Sequence, residues 1–229
     1  MEWGFETKRA VLVLLGFLAC ATLANADTRY VAQAGQTPAS PYTSWGSAAS
    51  NIQDAIDVAV DGETVLVSNG VYQTGGVAGY PEAADALTNR VAIHKPITVQ
   101  SVNGPSVTTI RGLGPMGDAA IRCVFMTNGA SLIGFTLTNG ATRTSGSGGG
   151  VLCISNSAVV SNCVISGNMA AGPGGGACQG SLYNCELYGN SAVNGGAAAY
   201  GALYNCSMSR NSAANDGGVS DADWQAWSP

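Results

Sequence analysis

The hydrophobic and polar positions between residues 148 and 218 follow one pattern three times. Each unit has an alternating run of six residues, then Gly-Asn or Arg-Asn, then small residues and Gly-Gly; the runs are Val160–Ile165, Leu182–Leu187 and Leu203–Met208. Alternation with a period of two predicts a strand rather than a helix. In the last two runs it places Tyr and Cys on one face, and Leu and Asn on the other.

The repeated units are spaced at intervals of 22 and then 21 residues, measured from one Asn-Cys pair to the next. A fixed period of this length is typical of stacked repeats, in which each strand pairs with its copies in the neighbouring units. We therefore predict ladders of equivalent side chains. The predicted ladders are Asn162, Asn184 and Asn205; Cys163, Cys185 and Cys206; Asn168, Asn190 and Asn211; and Gly175, Gly196 and Gly218.

One segment before the repeats has the pattern of an amphipathic helix. Its apolar face contains Ile52, Ala55, Ile56 and Ala59. Ser50 is the predicted N-cap, with Gln53 three residues later completing a capping box. Strand-like segments that end in Asn-Gly follow at 69–70, 103–104, 128–129 and 139–140. A helix at this position is expected to cover the open first coil of a stack.

The N-terminal residues have the features of an export signal. Lys8 and Arg9 precede an apolar run at 10–19, and Ala24-Asn25-Ala26 is a small-x-small cleavage site. We divide the chain into a signal peptide (1–26), an N-terminal cap with the first coils (27–119), the repeated coils (120–218) and a tail (219–229). Because the pattern fades after residue 218, the last coil would have an uncovered edge, so we expect it to continue into, or contact, further domains.

Composition narrows the classes of partner. Charged residues are 10% of the 229 residues and hydrophobic residues 46%, which excludes a disordered chain. The net charge is −5 without a basic cluster, so nucleic acid is not an expected partner. The apolar run of the signal segment is too short for a transmembrane helix, and no transmembrane span is expected in the mature chain.

Six cysteines remain after residue 26, namely Cys123, Cys153, Cys163, Cys178, Cys185 and Cys206. An even number in an exported chain is compatible with disulfides. Stacking of equivalent cysteines gives parallel side chains, which lack the disulfide dihedral angle, so free thiols are predicted in the ladder. For Cys153 and Cys178, the sequence is compatible with a disulfide bond as well as with free thiols. No CxxC pair is present, and neither a metal nor a cofactor is expected.

Candidate chemistry is sparse in the repeats. Between Cys123 and Asn215 the charged residues are Arg143, Glu186 and Arg210, and no catalytic residue is assigned. The segment 75–90 contains the candidate ligand-site residues Tyr80, Glu82, Asp85 and Arg90. Tyr183 and Tyr204 occupy equivalent positions. They would bind sugar rings if exposed, whereas core packing is the simpler interpretation.

Several stretches resemble pectin lyase-like right-handed parallel β-helices. They are Asn-Ile-Gln-Asp-Ala-Ile-Asp at 51–57, Gly-Glu-Thr-Val-Leu-Val-Ser-Asn-Gly-Val-Tyr at 62–72, and the segment 95–105. The Gly-Gly-Gly, Asn-Cys and Gly-Asn repeats resemble large exported bacterial β-helix repeat proteins and, more distantly, polymorphic outer-membrane-protein repeats. The resemblance implies an all-β, right-handed parallel β-helix with one N-terminal capping helix. It leaves the activity open, because this fold includes polysaccharide lyases, hydrolases, esterases and non-catalytic surface proteins.

The expected function is that of a secreted or cell-surface repeat protein, extracellular or on the outer cell surface. The shortage of titratable groups in the repeats favours a non-catalytic protein that is adhesive or contacts a polysaccharide or a cell-surface glycan. One alternative is a pectin lyase-like carbohydrate-active enzyme, either a polysaccharide lyase or a hydrolase; only under this alternative does calcium become a candidate cofactor, since lyases of this fold typically hold it with carboxylates. Another is a structural stalk. An exposed aromatic row would favour binding, a charged outer face the enzyme, and a smooth small-residue surface the stalk.

Overall fold

The computed structural model describes residues 27–80, 87–215, 217–220 and 223–225, the last three by their backbone. The predicted signal peptide and the candidate residues Glu82 and Asp85 lie outside this range. Within it there are one α-helix, α1 (Ile52–Val58), a short 3-10 helix at Trp45–Ser47, and 22 strands. No helix in these ranges is long and apolar enough to cross a membrane.

The strands are short and are spread over the whole described chain. The first eleven are β1 (Thr28–Val31), β2 (Thr64–Val67), β3 (Gly70–Tyr72), β4 (Thr88–Ile93), β5 (Thr98–Ser101), β6 (Thr108–Arg111), β7 (Ile121–Met126), β8 (Ser131–Ile133), β9 (Thr136–Thr138), β10 (Val151–Cys153) and β11 (Val159–Ser161). The others are β12 (Val164–Ser166), β13 (Ala177–Cys178), β14 (Ser181–Tyr183), β15 (Glu186–Tyr188), β16 (Ser191–Ala192), β17 (Ala198–Ala199), β18 (Ala202–Tyr204), β19 (Ser207–Ser209), β20 (Ser212–Ala213), β21 (Val219–Ser220) and β22 (Asp223–Gln225).

These strands form three large sheets and one small one. The first sheet has the order β1-β2-β5-β8-β11-β14-β18-β22, the second β3-β6-β9-β12-β15-β19, and the third β4-β7-β10-β13-β17-β21. The fourth sheet is the pair β16-β20. All pairings between these strands are parallel.

The chain visits the three large sheets in a constant sequence. From β2 to β18, each strand of the first sheet is followed along the chain by one strand of the second sheet and then by one of the third, with β16 and β20 of the fourth sheet lying between them in the last two passages. We call one such passage a coil. Successive coils therefore stack strand on strand, as in a parallel β-helix, which agrees with the predicted all-β fold at the level of strand content and parallel pairing.

The helix α1 covers the beginning of the stack. Ile52, Ala55 and Ile56 are buried against the core that the strands enclose. The N-cap is Asn51 and not Ser50 as predicted, because the Asn51 side chain accepts the hydrogen bond from the amide of Asp54 at 2.9 Å. Gln53 does not complete a capping box. Its side-chain amide instead exchanges two hydrogen bonds with the backbone of Ala92, which lies on the edge strand β4.

Charged groups lie near the C-terminal end of α1. The ammonium group of Lys95 donates to the carbonyl oxygens of Ile56, Asp57 and Ala59 at 2.7–3.1 Å, and so satisfies the C-terminal end of α1. Arg29 and Glu63 are both buried and form a two-fold ion pair, in which Arg29 Nε lies 2.9 Å from Glu63 Oε2. Such forked pairs are the strong form of a salt bridge.

This ion pair predicts a loss of stability in acid. Burial opposes ionisation of Glu63, but the hydrogen bonds from Arg29 and from the Val60 amide outweigh it, so the pKa of Glu63 is lowered in the folded protein. A lowered pKa gives stability that is present above the ordinary glutamate pKa of about 4.3 and is lost as the pH falls through the folded value. We expect the free energy of unfolding of the wild type to fall more steeply than that of Glu63→Gln as the pH is lowered from 5 into the acid range. Urea unfolding at several pH values in this range measures the difference. The same pH dependence of the unfolding free energy in both proteins would contradict the prediction.

The alternation within the repeats differs from the prediction. Leu182, Cys185 and Leu187 are all buried, whereas Tyr183 and Glu186 are exposed. The six-residue run is two strands, β14 and β15, separated by a corner at Asn184, whose φ is 52°. This left-handed residue turns the chain and resets the alternation, so the tyrosine and the cysteine do not share a face.

Candidate functional site

Asn168, Asn190 and Asn211, here called the inner asparagine ladder, join consecutive coils. Asn190 Oδ1 accepts hydrogen bonds from the backbone and side-chain amides of Asn168, at 3.1 and 3.0 Å. Asn190 Nδ2 donates to Asn211 Oδ1 and to the carbonyl of Ile165, at 3.0 and 2.8 Å. Asn168 and Asn190 are completely buried. The ladder is therefore a structural element whose hydrogen-bonding groups are occupied by the protein itself.

The other predicted ladders also lie at corners and close contacts between coils. Asn162, Asn184 and Asn205 have φ values of 51–52°, which places each of them in a left-handed bend, and Asn205 Nδ2 donates to Asn184 Oδ1 at 2.6 Å. Gly175 and Gly196 lie directly against the backbone of the following coil, whereas Gly218 has open space around it. These positions shape the backbone, and they offer no reactive group.

The cysteines are free in this structure. Cys163 and Cys185 are buried, and Cys206 is half-buried at the equivalent position of the next coil. Burial raises the pKa of Cys123 and of Cys153 to about 12, so both remain protonated at neutral pH. Because the thiolate is the reactive form of cysteine, neither is a nucleophile in this setting.

From β1 to β18, the two rows of side chains along the outer surface of the first sheet contain no charged residue. Its strands pair in register, so that side chains in two outward rows follow one another from coil to coil. One row contains Tyr30, Leu66, Gln100, Ile133, Ser161, Tyr183 and Tyr204. The other contains Thr28, Thr64, Thr98, Ser131, Val159, Ser181 and Ala202, of which Ser181 and Ala202 are buried, and its backbone register continues to Asp223 of β22. We call this surface the first-sheet outer face; none of these fourteen side chains is charged at neutral pH.

Aromatic rings lie at both ends of the first-sheet outer face. Tyr183 and Tyr204 stack with ring centroids 4.7 Å apart and an angle of 9° between their planes. Tyr183 is 37% exposed and Tyr204 is half-buried. At the other end Tyr30 meets Trp45 edge to face at 4.7 Å, and Trp45 is 43% exposed. The tyrosine column is therefore a surface feature and not part of the core.

The candidate residues of segment 75–90 lie in two different environments. The ring of Tyr80 stacks on His94 with centroids 5.2 Å apart and lies 5.5 Å from that of Phe125. Arg90 is buried, and its guanidinium donates to the carbonyls of Arg111 and Gly75. Two backbone hydrogen bonds between Val77 and Asn89 hold the two ends of the intervening segment together. Glu82 and Asp85 belong to the part that is not described.

Arg90 lies in the wall of a cavity of about 230 Å³ at the N-terminal cap. The cavity is bounded by the start of α1, the segment 74–77 and strand β4; its polar side chains include Gln33, Ser50, Asn51, Gln53, Asp54 and Thr74. Burial lowers the pKa of Arg90, although the guanidinium stays charged at neutral pH. Tyr80 is not among the lining residues.

Arg122 is a buried charge that the sequence did not reveal. It is 1% exposed, and it donates to Asn89 Oδ1 at 2.6 Å and to the carbonyls of Ser147 and Gly148 at 2.9 Å. These bonds fasten the turn before β10 to strand β4. Nothing in the local sequence distinguishes Arg122 from a solvated surface arginine, because its partners are 25–33 residues away.

No group of three histidine, cysteine, aspartate or glutamate side chains in the described ranges is arranged to hold a metal ion. Comparison of the sequence with protein-family models gives no match, and comparisons with curated proteins and with solved structures give no significant match. The inference of function therefore rests on the surfaces of this chain.

Proposed function

We propose that this chain is a non-catalytic, exported, right-handed parallel β-helix of the pectin lyase-like type, and that its first-sheet outer face binds neutral glycans. The single observation that carries the proposal is the exposed stack of Tyr183 and Tyr204 on an uncharged face. An exposed aromatic pair distinguishes a binding surface from a stalk, whose surface needs only small or solvated residues.

The chemistry of the face fits a sugar polymer. Aromatic rings present large apolar faces, against which the C–H groups of a pyranose ring pack. Hydroxyl groups of Thr64, Thr98 and Ser131 and the amide of Gln100 supply donors and acceptors for sugar hydroxyls. No positive charge lies in either row to compensate a carboxylate or sulfate, and desolvating such a group without a partner is unfavourable. The face therefore favours neutral over acidic polysaccharides.

The spacing of the face suits an extended chain. Strands of a sheet are about 4.8 Å apart, so equivalent side chains in neighbouring coils repeat at this interval. This distance is comparable to the length of one pyranose residue in a polymer. A glycan that lies across the strands would therefore meet similar side chains at successive sugars, and the aromatic ends of the face would fix its position.

The handedness and the location are part of the same proposal. Crossover connections between parallel strands of one sheet are right-handed in nearly all proteins, which supports a right-handed helix here. The positively charged start, apolar run and cleavage site of residues 1–26 support export. A neutral glycan at the cell surface or in the extracellular space is then the accessible partner.

Removing the tyrosine stack is expected to weaken glycan binding. Mature protein from residue 27 onward would be titrated with a panel of soluble neutral and acidic polysaccharides, using affinity electrophoresis. For a neutral polysaccharide that binds, we expect the double variant Tyr183→Ala/Tyr204→Ala to bind at least about tenfold more weakly, equivalent to about 1.4 kcal/mol. Circular dichroism establishes that the variant is folded.

The matched control is Tyr188→Ala, since Tyr188 is 40% exposed on β15 of the second sheet and lies outside the first-sheet outer face. It should bind like the wild type. An equal loss in Tyr188→Ala, or no binding of any neutral polysaccharide by the folded protein, would refute the proposed surface. Mass spectrometry of the same mixtures should show no released oligosaccharides, and their appearance would refute the non-catalytic part.

A further inference from the structure

We propose a second binding site, independent of the glycan surface: the cavity at the N-terminal cap holds a small carboxylate that also carries a hydrogen-bond donor, such as a hydroxy acid. Arg90 would bind the carboxylate, and the polar residues at the rim would bind the donor. The site lies between α1, segment 74–77 and strand β4, and shares no residue with the first-sheet outer face.

The guanidinium of Arg90 is a buried charge. The residue is 7% exposed, and in the described ranges its guanidinium contacts only two carbonyl oxygens, those of Arg111, 2.8 Å from Nε, and of Gly75. No described carboxylate forms an ion pair with it. Buried charges in proteins are normally paired, because leaving water is costly for an isolated ion. An anion in the cavity would give the guanidinium a partner of opposite charge.

The guanidinium of Arg90 has hydrogen-bonding capacity beyond its two carbonyl partners. A guanidinium has five N–H donors, and two of its three nitrogens are engaged by the carbonyls. Arg90 and Gly75, whose carbonyl binds Arg90 Nη1, are both wall residues of the cavity. Charge-assisted bonds from arginine to a carboxylate are about twice as strong as neutral ones. The geometry thus favours a carboxylate over an uncharged ligand.

The size and the rim of the cavity define the rest of the ligand. A volume of about 230 Å³ is several times that of a water molecule, and is therefore larger than an inorganic anion requires. Asp54 lies at the exposed rim, where its carboxylate accepts a hydrogen bond from Asn51 at 2.7 Å. This negative charge disfavours a second anionic group and favours a hydroxyl donor at the far end of the ligand.

Ligand-detected NMR on the full chain tests the site with four probes. Lactate has the carboxylate and the hydroxyl, propionate lacks the hydroxyl, lactamide lacks the charge, and sulfate is an inorganic anion. We expect saturation-transfer signals for lactate that level off as its concentration rises. Propionate should bind more weakly than lactate, and lactamide should not bind. Sulfate should not displace lactate at equal concentration.

Three variants assign the signal to the cavity. Arg90→Gln should weaken lactate binding at least about tenfold. Because Arg90 also binds two backbone carbonyls, Thr74→Trp provides a second test: Thr74 is an exposed wall residue, and an indole there fills the cavity while Arg90 stays in place. The matched control is Arg111→Gln, which removes an exposed arginine that does not line the cavity.

We expect lactate binding to be lost or strongly weakened in Arg90→Gln and Thr74→Trp, and to be unchanged in Arg111→Gln. Equal loss in Arg111→Gln would indicate non-specific attraction by surface charge and would overturn the proposal. So would full binding in Thr74→Trp, displacement of lactate by sulfate, equal binding of lactamide, or no lactate signal from the folded wild type. Failure here leaves the glycan surface unaffected, since the tyrosine variants report on that face alone.

Discussion

Asn190→Ala is expected to lower the free energy of unfolding by about 3–5 kcal/mol, the combined cost of leaving two or three buried polar groups without a partner. The side chain of Asn190 accepts from the backbone amide of Asn168 and donates to the carbonyl of Ile165, and these groups lie in the buried interior. A methyl group cannot replace either bond, and the site is too closed for bulk water to do so. We therefore expect nearly the full cost of the lost hydrogen bonds to appear in the free energy of unfolding.

Urea unfolding, followed by circular dichroism, measures the effect, and Asn215→Ala is the matched control. Asn215 also belongs to a pair between neighbouring coils, donating to Asn194 Oδ1 at 3.0 Å, but it is exposed. Water replaces its hydrogen bond, so its loss should cost less than about 0.5 kcal/mol. Similar losses of unfolding free energy in the two variants would contradict the expectation that burial strengthens the contribution of the inner asparagine ladder to stability.

Gly196→Ala is expected to reduce stability by at least about 3 kcal/mol or to prevent folding, the upper range of overpacking effects. A Cβ atom built on Gly196 would lie 2.2 Å from the carbonyl oxygen of Ser212, which belongs to the backbone of the next coil. No side-chain rotation relieves this contact. Relief requires the two coils to separate, which would lengthen the hydrogen bond from the Gly196 amide to Gly217 O, now 3.1 Å.

Gly218 offers a control at the equivalent position of the last repeat. A Cβ there meets nothing within 4 Å, and its φ is not in the left-handed range. Gly218→Ala should therefore change the free energy of unfolding by less than about 1 kcal/mol. The pair is compared by yield of soluble protein, circular dichroism and urea unfolding. A folded Gly196→Ala protein as stable as Gly218→Ala would contradict the close approach of the coils.

The features that the sequence predicts well are those that repeat. Asn168, Asn190 and Asn211 recur at a nearly constant interval, so the spacing alone indicates the stack and its parallel pairing. The corner at Asn184 was missed because an alternating run of six residues reads as one strand unless the left-handed asparagine is recognised. The N-cap was misplaced by one residue because Ser50 and Asn51 are both good caps, and only the hydrogen bond to Asp54 distinguishes them.

The candidate sites were harder to predict because they are assembled from residues distant in sequence. Whether Tyr183 faces water depends on the corner that follows it, which alternation alone does not show. Arg90 was singled out from its neighbourhood, but its cavity is formed with residues of α1 and segment 74–77, which no local pattern connects to it. Arg122 shows the same limitation, since its burial depends on the turn at Ser147 and Gly148.

The inner asparagine ladder has a direction: Oδ1 of Asn190 and Oδ1 of Asn211 each accept from the backbone and side-chain amides of the asparagine one coil earlier. The two junctions between these three asparagines are consequently formed by the same pair of hydrogen bonds. A gene segment encoding one whole repeat could therefore be duplicated or deleted in frame, and the flanking coils would meet through the same contacts. Such a chain can change its length over evolution in steps of one repeat, lengthening the proposed glycan surface without redesigning its interior.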